Sequence, residues 1–223
     1  MLSRDIEKIF VINLKHRVDR LTSITAEVER LGLLDRLEVV EGTVLKAHGK
    51  GTAGIALSHA RCIQLAKERG YRYAMILQDD AKCLVSPGDI IQQLNEFLAG
   101  SQEDPWTGMW CGSFFDCDRS LNGKNYAKPH WFNQDTATLI HNRAYDLMIR
   151  YYEYCSARFV EIGDSRYECD QLLLKISEAN EMERLFLPLK EGARVLFTKL
   201  FGQADTMSDR MFVRMGGGHG IPL

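Results

Sequence analysis

Apolar residues occupy Ile9-Phe10-Val11-Ile12 without a break, and the run closes at Leu14. A short β-branched stretch with no polar alternation predicts a strand covered on both faces. From Asp19 the spacing becomes helical, with Leu21, Ile24, Val28 and Leu31 on one side and Gly32 as a stop. The pattern then repeats as a strand over 37–44, a helix over 55–69 with Gly70 behind it, and a strand over 71–77. That last strand runs into Gln78-Asp79-Asp80. Ser86-Pro87-Gly88-Asp89 offers a cap and a first-turn proline to a helix carrying Ile90, Ile91, Leu94 and Phe97 and ending at Gly100.

In the second half the pattern predicts a strand over 108–115 and a polar loop over 116–130 with the turn pair Asn122-Gly123. A strand over 131–140 leads into a helix capped by Asn142. A helix over 165–177, a strand over 185–189 and the tail Gly216-Gly217-Gly218-His219-Gly220 complete the chain. Alternating strands and helices predict an α/β sheet with helices on both faces. Ligands of such sheets bind beyond the carboxyl ends of the strands, so chemistry is expected just after Leu14, Leu77 and Phe115.

Composition narrows the picture. With 223 residues, 45% of them hydrophobic, the expectation is one domain with a closed core. The 28 Lys+Arg against 30 Asp+Glu give no general basic excess, so no nucleic-acid partner is expected. No apolar run approaches the roughly 18 residues that would span a bilayer, so no integral membrane segment is expected. The six cysteines show no zinc-ligand spacing and read as free thiols in a reducing, cytoplasmic setting, peripheral to a membrane if the acceptor is lipid-linked. The glycine-rich end also suits a domain cut from a longer polypeptide.

The strand-end pair Asp79-Asp80 is the informative feature. Adjacent carboxylates repel, and keeping both ionised in a partly buried place requires a cation or hydroxyl donors. Mg2+ or Mn2+ carrying a diphosphate would serve, because such ions use one or two carboxylates and complete their shell with phosphate and water. Arg17 and Arg20 follow the first strand, where guanidinium forks suit a pyrophosphate.

At these residues a resemblance emerges. Asn13 with Arg17, Asp19 and Arg20, the element Gly54-Ile55-Ala56-Leu57-Ser58-His59, and the box Ala74-Met75-Ile76-Leu77-Gln78-Asp79-Asp80 resemble, in this order, the family 25 glycosyltransferases. The segment opening at Asp135, the box Glu168-Cys169-Asp170, Gln203 and Ser208-Asp209 continue it across most of the chain. The resemblance implies a single nucleotide-sugar-binding domain of the GT-A type over residues 1–223, with a mixed central sheet flanked by helices, in which residues 1–100 would bind the nucleotide sugar and residues 101–223 would supply the acceptor surface and the catalytic group. It implies an inverting, metal-dependent transfer from a nucleotide-diphosphate sugar, a UDP-sugar by expectation, to a glycan or glycoconjugate hydroxyl. Carried over by position, Asp80 would bind the metal, and Asp79 the ribose or donor sugar. Asn13, Arg17, Arg20, Ser58 and Gln78 would line the donor site, and Asp170 would be the base. Gln78 stands where the family has Glu, which removes a charge beside the metal.

Other assignments stay open. Glu168 and Asp164 are alternative bases, and His219 or Asp209 could be a late metal ligand. Trp106, Trp110 and Trp131 could stack on an acceptor sugar, although aromatic residues in strand-like runs also build cores. Gly49-Lys50-Gly51-Thr52-Ala53-Gly54 matches a dinucleotide-binding fingerprint of an NAD(P)-dependent oxidoreductase, but no strand directly precedes it. A non-catalytic nucleotide-sugar-binding module is the remaining alternative, motivated by Gln78.

Overall fold

The uninterrupted apolar run near the start is the central strand β1 (Lys8–Asn13). Its Ile9 and Val11 are buried in one core cluster and its Phe10 and Ile12 in another, which is why polar alternation is missing. A computed structural model describes residues 2, 4–45, 51–112, 114–117, 124–196 and 198–203. After β1 come α1 (Val18–Arg30), β2 (Leu37–Glu41), α2 (Gly51–Glu68), β3 (Tyr73–Gln78), β4 (Ala81–Cys83) and α3 (Pro87–Gly100). Next are β5 (Gly108–Trp110), β6 (Phe114–Cys117), β7 (Tyr126–Ala127), β8 (Pro129–Asn133) and β9 (Ala137–His141). The chain continues through α4 (Tyr145–Ile162), α5 (Cys169–Lys175), α6 (Glu181–Arg184), α7 (Leu187–Glu191), β10 (Ala193–Leu196) and β11 (Phe201–Gln203).

Seven strands form the main sheet in the order β2-β1-β3-β9-β5-β10-β7. β1 runs parallel to β2 and β3, whereas β9 is antiparallel to both β3 and β5, so the sheet is mixed. Helices α2, α4 and α5 cover the Phe10 face and α1 and α3 the Ile9 face. Among the described residues no helix is long and apolar enough to cross a membrane.

The first half follows the hydrophobic pattern closely. Gly32 and Gly70 take the left-handed conformation, with φ of +69° at each, and end α1 and α2 as predicted. Ser86 caps α3 by accepting the Asp89 amide at 3.2 Å, with Pro87 in the first turn. The strand expected over 37–44 stops at Glu41, because the Gly42 amide donates to the Asn13 carbonyl at 2.8 Å and carries the chain across the end of β1.

The second half departs in four places. The strand expected over 131–140 breaks at Gln134, whose φ is +85°, so that β8 joins β6 in a separate ribbon while β9 enters the main sheet. The strand expected over 108–115 divides too. Cys111 donates its amide to Ala137 and accepts from Leu200 and Phe201, passing the ladder to new partners before β6 begins. Residues 185–189 form a turn and the start of α7 in place of the expected strand. Asn180 caps α6, and Pro188, which has no N–H for a ladder, sits in the first turn of α7. The cap before α4 is His141, not Asn142: its Nδ1 accepts the Arg143 amide at 3.2 Å over a 3-10 turn, and burial with the Arg143 charge lowers its pKa to about 4. The predicted turn Asn122-Gly123 and the tail holding Ser208, Asp209 and His219 lie outside the described residues.

Candidate functional site

Parallel β1, β2 and β3 end on the same edge of the sheet, and a cavity of about 460 Å³ opens there. Leu14, residues 42–45, Asp79 and Asp80 come from the strand ends. Arg20 of α1, Gly51, Ile55 and Ser58 of α2, and Gln203 of β11 close the wall. Gln203 arrives by β11 pairing antiparallel with β4, which sets it opposite Ala81, next to Asp80.

Asp79 and Asp80 are 8% and 7% exposed, so their mutual repulsion is poorly screened. Arg20 offsets it. Its Nη1 donates to Asp79 Oδ1 at 3.0 Å and to Asp80 Oδ2 at 3.3 Å. The buried Asn13 amide donates to Asp79 Oδ2 at 2.9 Å and to the Arg17 carbonyl at 3.0 Å, so Asn13 orients Asp79 from behind the cavity. Arg17 does not line the cavity, although the charges of Asp79 and Asp80 reach it. Its guanidinium forms a forked pair with Asp19 at 3.0 and 2.8 Å, which lowers the Asp19 carboxyl to about 2.

Ser58 reaches the cavity wall, but its hydroxyl is engaged twice, donating to the Gly54 carbonyl at 2.7 Å and accepting the Thr43 amide at 2.8 Å. It therefore ties the 42–45 loop to α2. Gly54 serves the same contact, because a Cβ there would lie 2.2 Å from the Thr43 carbonyl oxygen. That packing explains the last glycine of the dinucleotide-like fingerprint, whose Gly51 and Gly54 lie inside α2 and not in a loop directly after a strand. Gly54→Ala is expected to lower stability by about 1–3 kcal/mol and to loosen the cavity wall; an unchanged urea midpoint would contradict this. His59 is fully buried, its Nδ1 paired with the Ile55 carbonyl at 3.0 Å and its ring stacked on Tyr152.

Beyond Gln78 a second group of polar residues assembles. Asp170, in the first turn of α5, accepts the Gln134 amide at 2.7 Å. The Gln134 side chain reaches Gln203 at 3.3 Å, and Gln78 donates to the Asp135 carbonyl at 3.3 Å. Asp170 is thereby linked to two residues that line the cavity, Gln203 and Gln78. Burial, followed by the Asp135 charge, pushes the Asp170 carboxyl up to about 7 from 3.8. Of the alternative bases, Asp164 is an exposed cap accepting the Arg166 amide at 2.8 Å, whereas burial raises Glu168, two residues before Asp170. Sequence reasoning passed over Gln134 and the side chain of Asp135. The available signal was the polar triplet Asn133-Gln134-Asp135 interrupting two apolar runs.

A metal can be tested against this donor set. Among the described residues no group of three or more His, Cys, Asp or Glu side chains could enclose an ion. The two carboxylates of Asp79 and Asp80 match what Mg2+ or Mn2+ uses when phosphate oxygens and water finish the shell. The residues fit an ion that arrives with a diphosphate, not a self-sufficient protein cage.

Across solved structures, the chain is similar to a glycosyltransferase involved in the glycosylation of the major capsid of PBCV-1. The TM-score is 0.51 at 9% identity, over 93% of this chain and 98% of that one. The fold is of the GT-A type. A mannose-1-phosphate geranyltransferase from Thermus thermophilus aligns with a TM-score of 0.48 at 11% identity, over 88% of this chain and 75% of that one. No family model and no curated protein matches the sequence. At these identities the GT-A likeness is one of architecture, a mixed sheet whose parallel strand ends carry the cavity.

Proposed function

We propose that the chain is a metal-dependent, inverting glycosyltransferase that moves a sugar from a nucleotide-diphosphate donor, a UDP-sugar, to a glycan or glycoconjugate hydroxyl. The observation that carries this reading is the Asp79-Asp80 pair at the edge of a cavity of about 460 Å³, with Asp170 tied to the same cavity through Gln134 and Gln203. Asp80, with Asp79 beside it, would hold Mn2+ or Mg2+, which when bound supplies positive charge to the departing diphosphate. Arg20, already paired with both acids, would add a guanidinium for phosphate. Asp170 would take the proton of the acceptor hydroxyl as that oxygen bonds to the anomeric carbon, while the bond from that carbon to the diphosphate oxygen breaks.

Of the tryptophans considered for acceptor stacking, Trp106 and Trp110 are core residues at 2% exposure, whereas Trp131 on β8 is 42% exposed. An exposed indole three residues before Gln134 suits the apolar face of an acceptor sugar. Trp131→Ala is expected to raise the acceptor KM about tenfold while leaving donor hydrolysis within twofold; an unchanged acceptor KM would remove it from the site.

The deciding experiment is release of free nucleotide from a panel of nucleotide sugars, with and without Mn2+ and chelator. Metal-dependent release from a UDP-sugar is expected. Absence of release and of nucleotide binding across the panel would overturn the proposal, and nucleotide binding without turnover would favour the non-catalytic module.

A further inference from the structure

Asp135 is a buried carboxylate at 5% exposure, and the reading above gives it no task. It sits at the break between β8 and β9, immediately after the left-handed Gln134. Its Oδ1 accepts the Trp110 indole N–H at 2.5 Å, and its Oδ2 accepts the Cys169 thiol at 3.1 Å. One oxygen is thus held from β5 and the other from the first residue of α5, the residue next to Asp170. Its carbonyl is held as well, by Gln78 at 3.3 Å. A buried charge is kept in a fold only when such donors compensate it, and here those donors come from β5 and from the residue next to Asp170, so the carboxylate joins the two elements.

We propose that Asp135 is a positioning residue for Asp170, clamping the left-handed turn whose Gln134 amide holds the Asp170 carboxylate and joining that turn to the start of α5. The proposal rests on the reading of Asp170 as the base. Asp170 faces Asp135 from the turn, Glu168 from its own segment, and the amides of Gln134 and Gln171. From α4, Asp135 meets Tyr151, Tyr152 and Cys155, all kept neutral by burial, and from β5 and α5 the uncharged Trp110 and Cys169. The Asp135 charge is accordingly a neighbour that Asp170 feels strongly, next after burial itself, and it keeps the proton on Asp170 until near-neutral pH.

Two readouts on the full chain separate this proposal from the functional one. The first needs no turnover: the carboxyl carbon of Asp170, labelled with carbon-13, is titrated by NMR, with assignment by the Asp170→Asn variant. Asp135→Asn is expected to lower the Asp170 midpoint by about one pH unit or more, and Asp135→Glu, which keeps the charge, to restore most of it. Trp110→Phe guards against a variant that does not fold. Losing the Trp110 N–H loosens the Asp135 carboxylate and with it the turn whose Gln134 amide holds Asp170, so the Asp170 midpoint should move here too, by a smaller amount. The second readout is the pH profile of sugar transfer, whose rising limb should move with the midpoint. A midpoint unmoved in Asp135→Asn and in Trp110→Phe overturns the proposal, whether or not the chain turns over a donor. A midpoint that moves in a chain without transferase activity sustains the coupling of the two acids and overturns the functional reading instead.

Discussion

Asp80→Asn is expected to reduce Mn2+-dependent nucleotide release from a UDP-sugar by about 10³-fold or more. A metal's stabilisation of developing charge amounts to several kcal/mol, and each 1.36 kcal/mol is about a factor of ten. The substitution is nearly isosteric. Arg20 keeps its 3.0 Å bond to Asp79, and Asn13 still holds the other Asp79 oxygen at 2.9 Å, so the cavity edge stays assembled. The melting temperature of the ligand-free protein should consequently change little, while the extra stabilisation by UDP with Mn2+ should largely vanish. Both are read in one thermal-shift series, since a ligand that binds only the folded state stabilises it in proportion to RT ln(1 + [L]/Kd). Unchanged turnover would sink the assignment of Asp80 to the metal.

Asp170→Asn should lower transfer by about 10²- to 10⁴-fold, the range of a lost general base, while UDP binding persists. The Gln134 amide can still donate to the Asn carbonyl, which preserves the turn. In the wild type the rate should rise with pH through about 7, because only the ionised Asp170 can accept the hydroxyl proton. The sign for stability is opposite. A carboxyl whose folded-state pKa lies above its unfolded value of 3.8 leaves the fold most stable below that value, and stability is lost as pH rises to about 7. Asp170→Asn should therefore be more stable than wild type at pH 8, with the difference closing toward pH 4, as a urea series at both pH values would record. Retained transfer would move the base to Glu168, since Asp164 is an exposed cap.

Much of the site was readable because its parts are local. The Asp79-Asp80 pair lies at the end of β3 as the apolar run ending at Leu77 demands, and β1, α1 and α2 bring Asn13, Arg20 and Ser58 toward the same edge. The tertiary structure adds the partners that Arg17 and Ser58 take. Arg17 spends its guanidinium on Asp19, two residues away, and Ser58 spends its hydroxyl on Gly54 and Thr43. Such partners are fixed by side-chain geometry, and sequence position alone does not distinguish a fork aimed at a ligand from one aimed at a neighbour.

The division between chain and tertiary structure follows the range of the forces. Periodicity, caps and stops act within a few residues, so the alternating strands and helices up to Gly100, the α/β class and the acidic strand end were settled by the sequence itself. Long-range pairing decided the rest. Only the competition of the main sheet and the β6-β8 ribbon for the same apolar stretch breaks it at Gln134. Only that break places Asp135 between Trp110 and Cys169 and ties Asp170 to the cavity across residues far apart in the chain. A hydrogen bond between residues 36 or 69 positions apart leaves no periodic trace in either segment, because each partner satisfies its local pattern equally well without the other.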